Sequence, residues 1–245
     1  RLDTGTPYLD LTVSSSAFDP SKILKNIPAH GSVSFEAAVK GPLTDPRVDG
    51  SVKMDQGTVE NIPVQNAAAK VRYQDQHVFV QDMRASVLGG KIAGEAAVSA
   101  ADLSYTAHIK ADGIDLSQAA VYEPSLAAVT GQVSADVGIT GKGLDRSSLQ
   151  VYGNASLNRG TYRGLSVDSL TTSFYAAGDD ITIDYLSANL PNHTSIGLEG
   201  SIKDALETPK LDLAFYGGHV DLSLLQQVDS RIDMSGLAGF KGTVH

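Results

Sequence analysis

The sequence contains no cysteine and no tryptophan, and only 6% of its residues are aromatic. Without cysteine there are no disulfides, no thiolate-held zinc and no thiol chemistry, although the compartment stays open. Bulky aromatics fill most compact cores, so whatever this chain encloses must be lined by small side chains, chiefly Ala and Val. No run reaches the ~18 apolar residues of a membrane span, and no signal peptide is visible. The chain opens at Arg1 and stops at "KGTVH" within an alternating stretch, so it reads as a piece of a longer protein. Lys and Arg are scattered and the formal net charge is −9. That balance argues against nucleic acid and against an anionic membrane surface as partner.

Recognisable chemistry is equally scarce. The histidines (His30, His77, His108, His193, His219, His245) show no metal-ligand spacing. Asp179 and Asp180 stand at a hairpin tip, where paired carboxylates serve turns. There is no nucleophile elbow, phosphate loop or dinucleotide fingerprint. The expectation is a non-enzymatic protein with no cofactor and no metal.

What the sequence does have is strict alternation over sixteen or so segments. A period of two marks half-buried strands with one apolar and one solvated face. Leu9, Leu11 and Val13 open the pattern, followed by Val33, Phe35, Ala37 and Val39, then Val48, Val52 and Met54. Next come Ala67, Ala69, Val71 and Tyr73, then Val78, Val80 and Val87, then Ile92, Ala96 and Val98, then Tyr105, Ala107 and Ile109. The second half repeats it with Val133, Ala135, Val137 and Ile139, then Leu149, Val151, Ala155 and Leu157, then Leu170 and Phe174. Ile181 and Ile183, then Ile196, Leu198 and Ile202, then Leu211, Leu213 and Phe215 complete the set. Gly, Asn, Asp and Pro separate the runs at hairpin spacing, which predicts a mostly antiparallel sheet.

Three short helices are predicted, with Asp19, Asp115 and Asp221 as N-caps. The first has Pro20 at its first helical position and Ile23, Leu24 and Ile27 on one side. The caps lie 96 and 106 residues apart, and Gly57 and Gly160, read as Gly-Thr turns, lie 103 apart. This is an internal repeat of roughly 100 residues, a short helix followed by six to eight strands. The expected organisation is the end of one repeat in 1–18, full repeats in 19–114 and 115–220, and the start of another in 221–245.

One apolar face has to be buried. The helices are too few to cover it, and Ala and Val fill the ~10 Å gap of a sandwich poorly. The remaining solution is an elongated all-β sheet curled on itself, with Gly50, Gly94, Gly138, Gly153, Gly197 and Gly200 permitting sharp bends. Composition leaves two outcomes open: a collapsed core, or a groove that accepts something apolar and elongated, such as an acyl chain.

The stretch "GPLTDPRVDGSVKMDQGTVENIPVQNAAAKVRYQDQHVFVQDMRASVLGGKIAGEAAVS" closely resembles the repeats of the TamB and AsmA-like family of envelope proteins. Residues 41–99 show the family's whole unit: Gly, an Asp-Pro linker, a strand to a Gly turn, a "V.Y" strand, a "V.V..M.A" strand, a Gly-Gly turn and "I.G...V". Residues 141–203 carry a looser copy, with "LDRSS" for "LTDPR" and "LPNHTS" where "VLGGK" would stand. The resemblance implies a taco-shaped β groove with short helices between repeats, bridging the periplasm for phospholipids that move between inner and outer membranes. It also implies an inner-membrane anchor outside this segment and an outer-membrane barrel partner of the Omp85 kind. Alternatives are an assembly factor that offers its sheet edge to outer-membrane strands by β-augmentation, and a structural or adhesive β-repeat protein. A sugar-binding sandwich is disfavoured by the missing Trp.

Overall fold

The computed structural model describes residues 7–22, 29–224, 226, 231 and 233–245. Nearly all of the alternating segments are strands: β1 (Tyr8–Phe18), β2 (Ala29–Pro42), β3 (Arg47–Val59), β4 (Ile62–Gln74), β5 (His77–Val87), β6 (Gly90–Ser99) and β7 (Ser104–Asp115). A four-residue helix α1 (Leu116–Ala119) follows, then β8 (Val129–Lys142), β9 (Asp145–Tyr162), β10 (Leu165–Ala177), β11 (Asp180–Leu190), β12 (Thr194–Lys203), β13 (Lys210–Asp221) and β14 (Leu237–Val244). These fourteen strands, rather than sixteen, form an all-β antiparallel sheet in chain order. It is not closed into a barrel. The chain divides into two compact units, residues 1–109 and 110–245, with the division inside β7.

Local turn chemistry explains why each strand pairs with the next. Glu60 and Asn61, Asp75 and Gln76, Leu88 and Gly89, and Arg163 and Gly164 all have positive φ at both positions. Two such residues make a type I′ turn, whose twist matches that of the strands it joins. This corrects the reading of Gly57 and Gly160 as turns. Both lie inside strands, with Gly57 opposite Gly31 in β2 and Gly160 opposite Val167 in β10.

The three aspartates cap as the sequence predicts. Ser21 N donates to Asp19 Oδ1 at 3.1 Å, Ser117 N to Asp115 Oδ1 at 2.8 Å, and Ser223 N to Asp221 Oδ1 at 2.9 Å. The helical turns behind them are brief: residues 20–22, α1 with a 3-10 turn at 124–128, and residues 222–224. Ile23, Leu24 and Ile27 lie outside the described residues. Six strands separate successive caps, β2 to β7 and β8 to β13.

Each unit has its own buried cluster. In the first, Val33, Met54 and Val64 are buried, with Phe18, Val52, Ala67, Ala85 and Val87 against them. In the second, Leu157, Val167 and Leu190 are joined by Leu224 from the last helical turn and by Leu116 from α1. In the second unit the helical turns thus fill one end of the apolar face. Among the described residues no helix is long and apolar enough to cross a membrane.

Candidate functional site

Residues paired across an antiparallel sheet project from the same side, so register decides which side chains form one surface. In the first unit Val39, Val48, Tyr73, Val78 and Val98 make one row across β2 to β6. Beside it run Ala37, Gly50, Val71, Val80 and Ala96, then Phe35, Val52 and Ala69, then Val33, Met54 and Ala67. Val64 pairs with Val87, and Ile92 with Ala85. On β7, Ile109 is half-buried, as are Tyr105 and Ala107 at the same parity.

The second unit builds longer rows. Ile139, Val151, Ala176, Ile181, Ile202 and Leu211 form one; Val137, Gly153, Phe174, Ile183, Gly200 and Leu213 form the next. Then come Ala135, Ala155, Thr172, Leu186, Leu198 and Phe215, followed by Val133, Leu157, Leu170, Ala188, Ile196 and Gly217. Leu149 shares the parity of Val151 and is half-buried. Within these rows each predicted position shares one face with its paired neighbours. Thr172 is the polar exception in these rows, and its hydroxyl donates to the Tyr185 carbonyl at 3.0 Å.

Strict alternation missed Met83, Ala85 and Leu186. On β5 the register shifts between Val80 and Met83, and Asp82 has φ 52°. On β11 it shifts between Ile183 and Leu186. Each is a β-bulge, an extra residue that returns later residues to the opposite parity. The signal was present in the spacing: apolar residues fall at 78 and 80, then 83, 85 and 87, and at 181 and 183, then 186, 188 and 190. Asp82 and Asp184 are 102 residues apart, so the repeat preserves the bulge.

Glycines keep the surface thin, for two different reasons. A Cβ on Gly50, Gly94, Gly153 or Gly200 would overlap a backbone carbonyl of the adjacent strand, that of Glu36, His108, Asp136 or Asp212 respectively. Backbones approach that closely where strands bend. Gly138 and Gly197 instead belong to the polar face, and the rings of Tyr152 and Tyr216 lie over them. On the apolar face Phe240 covers Gly217 and Phe215 covers Gly242, each ring within 2.5 Å of where a Cβ would sit.

The apolar wall is only half covered. Val33, Met54 and Leu157 are buried, Leu11, Val13 and Leu211 are exposed, and the other residues of the predicted apolar pattern are half-buried. The chain exposes 15686 Å², against about 10,400 Å² for one compact body of this mass or about 12,500 Å² for two. A sandwich core would leave its inward side chains fully buried. The charged side chains of three ion pairs lie on the solvated side: Asp49 pairs with Arg72, Asp82 with Lys70 and Asp136 with Lys110. The Lys70 ammonium holds the Asp82 carboxyl below the ordinary aspartate range.

Neither a curated protein nor a solved structure matches the chain. The family model of the AsmA family matches residues 15–199, well over half of it. An antiparallel sheet not closed into a barrel, with an aliphatic face in each unit, accompanies that match, and the chain belongs to the AsmA family.

Proposed function

We propose that the aliphatic face is a lipid-conducting surface, and that the chain is part of a periplasmic bridge carrying phospholipids between inner and outer membranes. The observation that supports this most is the half-buried state of the rows from β8 to β13. They are apolar enough to repel water and are left without a protein layer that seals them. Six strands at ~4.8 Å spacing make each row about 24 Å long, longer than the ~15 Å depth of one hydrocarbon leaflet. Each methylene held against the wall instead of in water avoids a cost of about 0.8 kcal/mol. The charged headgroup stays in solvent beyond the half-covered rim, so the surface needs no catalytic group. The membrane anchor and the barrel partner implied by the resemblance belong to the same proposal.

Mass spectrometry of lipids that co-purify with the chain tests this reading, together with transfer of a fluorescent phospholipid between vesicles. Val137→Asp places an unpaired charge on the wall, where desolvation is costly. We expect it to abolish co-purification and slow transfer. A native chain that carries no lipid and transfers none between vesicles would overturn conduction.

A further inference from the structure

We propose that the polar face of the second unit binds a linear glycan, in a hollow set behind the lipid wall. Each unit has a hollow that reaches its bulged strand, one of about 400 Å³ in the first unit and one of about 410 Å³ in the second. The second is lined by Ser134, Asp136, Asn154, Ser156, Thr171 and Tyr185, with Ala135, Ala155 and Thr172 of the wall row between them.

The chemistry of the two hollows differs. The first hollow is ionic, with Lys53, Lys70, Arg84 and Asp82 around it and Lys70 bonded to Asp82 at 2.7 Å. In the second, paired rows run Ser134, Ser156, Thr171 and Ser187, then Asp136, Asn154, Ser173 and Tyr185. Neither row contains Lys or Arg. The one cation lining the hollow, Lys110, is 3.3 Å from Asp136.

The bulge supplies the aromatic element. Two residues, Asp184 and Tyr185, stand where the neighbouring strand has only Glu199. Ser173 Oγ donates to Asp184 Oδ2 at 2.9 Å, and Thr172 Oγ1 to the Tyr185 carbonyl at 3.0 Å, which fixes the kink. The Tyr185 ring is 43% exposed beside that carboxylate. One row further, Tyr152 and Tyr175 are directly paired and both exposed, extending the aromatic shelf.

A stackable ring over a lining of hydroxyls, an amide and the alanines Ala111, Ala135 and Ala155 suits a sugar, which has polar edges and an apolar ring face. Hydroxyl and amide groups donate and accept, as sugar hydroxyls do, and the ring face packs against the C–H face of a pyranose. Hydroxyls recur at the ~4.8 Å strand spacing, so a chain of sugar rings laid across the strands meets a repeating set of partners. A cationic peptide is the poorer fit, because the carboxylates are already engaged: Asp136 faces Lys110, Asp112 accepts from Ser134 and Asp184 accepts from Ser173.

Calorimetric titration of the full chain with the β-1,4-linked N-acetylglucosamine hexamer, and separately with hexalysine, tests the assignment. Saturable binding of the hexamer is expected. Tyr185→Ala should weaken it about tenfold, while Tyr185→Phe, which keeps the ring, and Lys53→Ala, in the other hollow, should stay within about twofold. Circular dichroism confirms that each variant is folded, and the Phe variant keeps the test decisive if the Ala variant is not. No saturable binding by the native chain, undiminished binding by a folded Tyr185→Ala chain, or saturation by hexalysine instead of the hexamer would each overturn the proposal.

Discussion

Asp136 and Val137 are consecutive residues of β8 that belong to opposite surfaces. Val137 lies in a row with Gly153, Phe174 and Ile183, whereas Asp136 pairs with Asn154 and lies 3.3 Å from Lys110. A photo-crosslinker at each position therefore samples the two faces with almost no change of place. We expect acyl-chain adducts from Val137 and from Ile183, and none from Asp136 or Asp184. Equal capture at both parities would remove the lipid-wall reading.

The glycines of the wall make a separate prediction. Gly153 has the Asp136 carbonyl and, 3.0 Å from a built Cβ, the Val137 Cα against it. Backbone has no rotamer by which to yield, so Gly153→Ala should cost about 1–3 kcal/mol. Gly218, also in a strand, meets nothing within 4 Å, and Gly218→Ala should leave stability unchanged or slightly raised. Urea midpoints of the two variants measure the contrast.

Much of this was legible because period-two spacing is a direct consequence of strand geometry. Rows such as Val39, Val48, Tyr73 and Val78 follow from alternation once each hairpin closes with a two-residue turn. Three features were harder to read. The bulges at Asp82 and Asp184 moved Met83 and Leu186 onto the wall, and only the one-residue slip in spacing announces them. Gly138 and Gly197 looked like bend glycines, yet they sit beneath tyrosine rings, a cross-strand relation that no local pattern reveals. Leu224 joins Leu157, Val167 and Leu190 only after the chain has traversed several strands, and nothing in its own segment specifies that landing place.

That placement gives Leu224 unequal weight among the leucines of the apolar side. It is 5% exposed, whereas Leu11 on β1, opposite Val39, is 40% exposed. Leu224→Ala should cost about 2–5 kcal/mol through the cavity it leaves, and Leu11→Ala less than about 1 kcal/mol. Thermal denaturation of both variants checks the difference. If Leu224→Ala proves neutral, the last helical turn does not seal this end of the wall.

Acid should loosen the segments that seal it. Asp115 is held below the ordinary aspartate range by the backbone N–H of Ser117, with the Gln118 side chain adding to it. Asp221 is held down by the side chain and backbone of Ser223 and then by Asn192, whose Nδ2 donates to Oδ2 at 2.6 Å. In both, the folded value lies below the unfolded one of about 3.9. Their contribution is therefore complete above that value and is lost as pH falls through the folded values. The urea midpoint should be flat from about pH 7 to 5 and decline below about pH 4. Asp115→Asn with Asp221→Asn keeps an oxygen for each capped N–H but removes the titration, so the decline should become shallower. The Asp82–Lys70 pair contributes to the same decline, and salt should screen that share. An acid limb with the same slope in the double variant as in the native chain would show that the caps do not hold the helical turns in place.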